Sequence, residues 1–248
     1  MQQSNYHSHC TFCDGRSHPE DFVRFALSHG FRAYGFSSHS PLPFETNWNM
    51  SKDEMPAYLA EIQRLKEKYD GRIELYAGLE IDYLDTTYNA SIPYFREYAH
   101  SVSRYFEGDI RKLVERYYRS SMEMIEAGGI DIVGHLDKIY MNGQRFDTFS
   151  LDAPWYQELV QAYLERIAQL ELMVEINTKN WSQKQELYPH QQWLKRIAEL
   201  HIPVMVNSDC HYPHLVNDGR EETFELLKTC GFQTTRELVG GRWEDMGI

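Results

Sequence analysis

The sequence predicts an α/β fold in which parallel strands are joined by helical crossovers, as an α/β barrel or an open sheet. Three observations predict it. Short apolar runs alternate with amphipathic stretches of helical spacing along the chain. Ligand-type polar residues recur at the C-terminal ends of the apolar runs: His7/His9, His39, Glu80, His135, Asn177 and Asp209/His211. No repeat, low-complexity tract or Pro/Gly-rich linker interrupts the alternation, so a single domain over residues 1–248 is expected.

Taken in order, "SNYHSHC" reads as a strand, and "HPEDFVRFALSHG" as a helix that Gly30 stops. "RAYGFSSHS" is a second strand with a polar end. "SKDEMPAYLAEIQRLKEKYDG" is a helix opened by a Ser/Asp cap region and closed at Gly71. "RIELYAGLEID" is the third strand, and "EGDIRKLVERYYRSSMEMIEAGG" a long helix ended by Gly128 and Gly129. Strand "IDIVGHLD" follows, then helix "PWYQELVQAYLERIAQL" with Pro154 in its first turn. The chain closes with strand "ELMVEINT", helix "HQQWLKRIAELH", strand "IPVMVNSDCH" and helix "GREETFELLKTCG". That makes six strands.

The 248 residues carry a formal net charge of −12, which argues against a nucleic-acid backbone as the main partner. An anionic substrate stays possible, because bound cations reverse the sign locally. No run approaches the roughly 18 apolar residues of a membrane span, and "MQQSNYHSHC" lacks a secretory pattern. A cytoplasmic enzyme with no membrane partner is therefore expected. Its four cysteines are too few for a disulfide scaffold of this length. Cys10 and Cys13 form a CxxC, read as reduced thiols near the site or as a redox or structural zinc pair.

Within a strand, residues i and i+2 share a face, so His7 projects with His9 and Asp209 with His211. The C-terminal strand ends of a parallel barrel share one rim, where active sites lie. A lone histidine at a strand end is commonly structural, and Glu80 alone could be a solvated carboxylate. Two i,i+2 pairs joined by further ligand types on one rim point instead to a metal site for Zn²⁺, Fe²⁺ or Mn²⁺. Their number exceeds the four ligands of a closed structural zinc, which favours a multinuclear catalytic centre.

Six ordered motifs carry a family resemblance: "HSH" at 7–9, "CDG" at 13–15, "SSHSP" at 37–41, "GLEID" at 78–82, "GHLDK" at 134–138 and "NSDCH" at 207–211. Together they resemble the polymerase and histidinol phosphatase (PHP) superfamily. "SSHSPLPF", "EINT" and "FEGDIRKLVERYY" are similar to its histidinol-phosphatase branch. The resemblance implies a distorted (β/α)7 barrel holding two to three divalent metal ions at its C-terminal rim. It implies that His7, His9, Glu80 and Asp209 hold one metal, with Glu80 bridging to a second held by His135. Asp14, His39 and His211 would hold the third. One strand is apparently missing: the family pattern has a further histidine-ended strand after the Glu80 motif. Between Tyr83 and Phe106 only His100 offers an imidazole, in a stretch that reads as the approach to a helix. Losing a core strand would expose sheet edges, so a segment absent near Glu97 and Tyr98 is expected rather than a true deletion.

The implied activity is a metal-dependent phosphomonoesterase acting on L-histidinol phosphate in histidine biosynthesis. The alternatives are a PHP phosphoesterase for a sugar phosphate or nucleotide, and a non-catalytic metal-stabilised module. His211 or Asp14 is expected to help protonate the leaving group. Arg220 is a candidate phosphate clamp or an ordinary surface arginine, and Lys138 and Lys179 share that ambiguity. Asn177 either orients substrate or caps a strand end. Phe44, Glu45, Trp48 and Trp181 are candidates to meet the ammonium and imidazole of the substrate, or else pack on their own scaffold.

Overall fold

Two parallel three-stranded sheets and their covering helices position the site. The computed structural model describes residues 4–44, 46–83, 102–144 and 149–248. The first sheet has the order β1-β2-β3, from Ser4–Asn5, Ala33–His39 and Glu74–Glu80. Its register sets His39 beside Glu80 at the strand ends. The second sheet has the order β4-β5-β6, from Ile132–Val133, Met173–Asn177 and Val204–Asn207, with Asn177 beside Asn207. Strands β5 and β6 are buried throughout, as parallel strands covered on both faces must be.

The helices form where local chemistry supports them. In α1 (Pro19–Ser28) proline occupies the first turn, and the His18 side chain accepts the Glu20 N–H. Before α2 (Met55–Lys68), Ser51 and Glu54 exchange backbone-to-side-chain bonds, a capping box that holds the chain entering the helix. Helix α3 (Ile110–Ala127) starts at Asp109, which accepts the Arg111 N–H. Tyr118, Val114 and Ile125 on its inner face pack with Tyr156 and Tyr163 of α5 (Pro154–Gln169). Short helices α4 (Lys138–Gly143), α6 (Trp181–Lys184) and α7 (Leu194–Glu199) lie between the later strands in sequence, and α8 (Arg220–Thr229) follows β6. Among the described residues, no helix is long and apolar enough to cross a membrane.

The seven-stranded barrel is corrected by the structure. The described strands form three separate sheets, and none closes. Closure needs a continuous backbone ladder around the ring, and the junctions here do not supply one. Between β1 and β6 there is a single bridge, Ser8 to Cys210, with the His9 N–H on the Cys210 oxygen at 2.9 Å. Side-chain amides take the place of ladder bonds at this junction. Asn207 Oδ1 accepts the Tyr6 N–H at 2.8 Å, and Asn5 Oδ1 accepts the Ser208 N–H at 2.7 Å. Between β3 and β4 lies a cavity of about 670 Å³, lined by Leu79, Ile81, Tyr83, Tyr117 and Ile132 among others. Leu59, Ile81 and Tyr83, which border it, are exposed large apolar side chains. The expected absent segment near Glu97 and Tyr98, and His100 with it, lie outside the described residues.

The third sheet was not anticipated from the sequence. Strands β7 (Thr234–Val239) and β8 (Arg242–Gly247) pair as an antiparallel hairpin. Its turn, Gly240-Gly241, has both φ values positive, the backbone a two-residue hairpin turn requires. Trp243 and Leu238 of this hairpin pack with Tyr6 beneath the two sheets.

Candidate metal centre

The strand ends bring the ligand-type residues together. Four overlapping groups have ligand atoms within 4.8 Å of one another: His7/His135/Asp209, His7/His9/Glu80, His9/Asp209/His211 and His9/Asp14/His39. Together these groups contain the eight residues His7, His9, Asp14, His39, Glu80, His135, Asp209 and His211. His7 and His9 follow β1, His39 and Glu80 end β2 and β3, and Asp209 lies just beyond β6. Asp14 comes from the turn after β1. That turn is held tightly, because a Cβ on Gly15 would lie 2.2 Å from the His9 oxygen and 2.3 Å from the Cys10 nitrogen. Gly15→Ala is therefore expected to displace Asp14 and His9. It should destabilise the fold by about 1–3 kcal/mol and reduce bound metal, read by thermal melting and elemental analysis. An alanine variant with unchanged metal content and melting would show that the turn can relax without moving the site.

The donor geometry fits a divalent cation. His7 Nε2, His9 Nε2 and Glu80 Oε2 are mutually 3.2 Å apart, and His9 Nε2 is 3.1 Å from Asp209 Oδ1. Donors about 2.0–2.1 Å from a tetrahedral metal are about 3.3 Å from each other. Glu80 spans the centre: Oε2 also lies 3.3 Å from His39 Nδ1, while Oε1 is 2.6 Å from His135 Nε2. Asp14 Oδ2 is 3.2 Å from His211 Nε2, and Asp14 Oδ1 is buried with no hydrogen-bond partner among the described residues. Among the described residues His39 Nδ1 has none either, its 3.3 Å approach to Glu80 Oε2 not being a hydrogen bond. Orphaned acceptors of this kind are costly unless something electropositive meets them.

The electrostatics agree. Burial opposes charge on His7, yet Glu175, Asp209 and Glu80 outweigh it and push the imidazole up to about 10. Burial also opposes charge on Asp14, but His211 and the neighbouring rings bring its carboxyl down to about 2. Burial dominates at His39, which falls to about 4. Asp209 is held well below the usual carboxylate range, against burial, by Lys179 and His7. A cluster that holds its carboxylates ionised in this way is a strong cation trap. Backbone strain accompanies it: His135 and Asp209 have φ of 26° and 46°, in the left-handed region that non-glycine residues rarely enter.

The remaining candidates divide. Lys179 Nζ lies 2.9 Å from Asp209 Oδ1, inside the centre. Lys138 opens α4 close enough for its charge to act on His39. Asn177 is buried and donates to Glu175 and Asp209, orienting carboxylates. Trp48 meets His39 edge-on, with ring centroids 4.8 Å apart, and Phe44 is half-buried. Glu45 lies outside the described residues. Trp181 packs against Gly219 and the core.

Arg220 is not brought to the cluster. It is buried, donates to the Val206 oxygen at 2.7 Å and lies over the Phe31 and Phe224 rings. Helix α8 begins near the rim, but its first side chain turns into the core. The CxxC cysteines are free thiols. Cys10 is buried, and Cys13 lies 3.5 Å from His9 Nδ1.

Sequence reading missed Glu175. This carboxylate is 1% exposed on β5 and sits 2.6 Å from His7 Nδ1. An ionisable residue in the middle of the apolar run "LMVEIN" was the available signal, since buried charges need partners.

A "Probable histidinol-phosphatase" from Deinococcus radiodurans is 26% identical over 253 residues, covering 92% of this chain and 94% of the relative. One of the same description from Schizosaccharomyces pombe is 22% identical, covering 91% and 86%. The solved histidinol phosphate phosphatase from Lactococcus lactis, complexed with Zn, L-histidinol and phosphate, shares the fold. Its TM-score is 0.72 at 17% identity, covering 98% of this chain and 99% of that one. The PHP domain family matches residues 5–179. With well over half of its length matched and its histidines and carboxylates gathered at the strand ends, the chain belongs to the PHP domain family, as a phosphoesterase with a metal-binding site.

Proposed function

We propose that the protein is a histidinol-phosphatase, hydrolysing L-histidinol phosphate to L-histidinol and phosphate. The convergence of eight ligand-type side chains at one rim carries the chemical part of this reading, and the names of the relatives suggest the substrate. His7, His9, Glu80 and Asp209 would hold one divalent ion, Glu80 with His135 a second, and Asp14, His39 and His211 a third. Zn, Fe and Mn all suit such a nitrogen and oxygen donor set. When bound, these ions supply Lewis acidity, which activates water and neutralises charge on the phosphoryl oxygens.

The chain's own residues do the rest. The Lys179 ammonium, 2.9 Å from Asp209, is placed to donate to a phosphoryl oxygen, where its charge favours the more negative transition state. Of Asp14 and His211, 3.2 Å apart, Asp14 is held ionised. Only His211 can therefore carry a proton to the departing alkoxide, and only in a form with two ions, where its ring holds no third. Trp48, edge-on to His39, offers a ring face at the rim for the substrate's imidazole or ammonium.

Phosphate release from a panel of monoesters tests the substrate assignment. Histidinol phosphate is expected to exceed a simple aryl phosphate in kcat/KM by at least roughly tenfold, equivalent to about 1.4 kcal/mol of transition-state binding. Equal or better turnover of sugar phosphates or nucleotides would replace the substrate and leave the phosphoesterase chemistry standing.

A further inference from the structure

We infer that Glu175 is a positioning residue that sets the His7 ring and the His135 backbone for cation binding, from the middle of the second sheet. The inference rests on the metal-centre reading above and extends it to a residue that touches neither substrate nor reacting atoms.

Glu175 receives four donors and faces no solvent. Oε1 accepts from His7 Nδ1 at 2.6 Å and from Asn207 Nδ2 at 3.1 Å. Oε2 accepts from the His135 backbone N–H at 3.1 Å and from Asn177 Nδ2 at 3.0 Å. Only a carboxylate can accept on both oxygens. Each oxygen serves a different part of the centre, so one side chain ties the end of β1 to the loop after β4.

Two consequences follow from that placement. With Nδ1–H of His7 held by Glu175, it is Nε2, facing Glu80, His9 and Asp209, that yields its proton to an arriving cation and becomes the donor atom. At His135, the left-handed φ of 26° is costly for any residue that carries a Cβ. The bond from its N–H to Oε2 is what holds that residue with Nε2 against Glu80. Glutamine in place of Glu175 keeps the size but not the function. Whichever way its amide is turned, an NH₂ group faces two donors, so either the His7 side or the His135 side is lost.

The test is titration of metal-free wild type and Glu175→Gln with Co²⁺, read by calorimetry and by the visible spectrum, with thermal melting of the metal-free forms. The expected result is roughly 10–100-fold weaker binding in the variant, with an altered spectrum. Unchanged affinity and spectrum, with or without a lower melting temperature, would reduce Glu175 to a core residue and overturn the inference. A wild type that binds no Co²⁺ would overturn the metal-centre reading itself. Should the variant not fold, long-range ¹H–¹⁵N spectra of Zn²⁺-loaded wild type decide. His7 protonated at Nδ1 supports the inference, and protonation at Nε2 overturns it.

Discussion

Glu80→Ala is expected to lose bound metal and phosphatase activity together, with kcat/KM falling by at least roughly a thousandfold, about 4 kcal/mol. The size of the effect follows from the number of groups one carboxylate serves. Its Oε2 lies within 3.3 Å of nitrogens of His7, His9 and His39, and its Oε1 lies 2.6 Å from His135. Removing it leaves four imidazoles facing one another with their shared negative charge gone. Glu80→Gln separates charge from shape: it keeps the volume and one acceptor oxygen, and should lose most of the metal as well. Elemental analysis of the purified variant beside its phosphate-release rate is the measurement. Full metal content with full activity in Glu80→Ala would remove Glu80 from the centre.

Stripping metal with a chelator is expected to lower phosphate release by at least roughly a thousandfold and to lower the melting temperature, both restored on adding Zn²⁺ or Mn²⁺. Binding confined to the folded state stabilises it by about 4 kcal/mol at a thousand times Kd, which for a chain of this size is on the order of ten degrees. The physical source is the concentration of carboxylates at one place. Glu80, Asp209 and Glu175 are all drawn to the ionised form against their burial. Without cations, protons on His7 and His9 must balance them. Activity and melting indifferent to the chelator would rule out a metal-dependent reaction.

Much of this centre was legible before any coordinates. The i,i+2 pairs His7/His9 and Asp209/His211 do reach one site, although all four lie past the ends of β1 and β6 and Asp209 has a left-handed φ, so strand alternation is not what aims them. Asp14 was legible only through the "CDG" motif, because a turn residue carries no periodicity. Arg220 shows the limit of such reasoning. A helix start near a rim says where the backbone is, yet the long guanidinium stem was free to turn inward to Val206 and two aromatic rings. Glu175 shows the converse, since its role depends on donors that are remote in sequence, from His7 to Asn207.

The order of strands and helices, the parallel pairing and the identity of the ligand-type residues follow from composition, periodicity and motif, which are local properties. Whether the sheets close is not local. It depends on backbone ladders between residues some two hundred positions apart, and at the β1–β6 junction Asn5 and Asn207 side chains stand in for those ladders. The β7–β8 hairpin was missed although Gly240-Gly241 is a local turn signal, and its packing against Tyr6 has no local signal at all, because the apolar face it covers belongs to residues remote in sequence. Spacing along the chain names the groups that can meet; the distances at which they meet are set by long-range packing and hydrogen bonding.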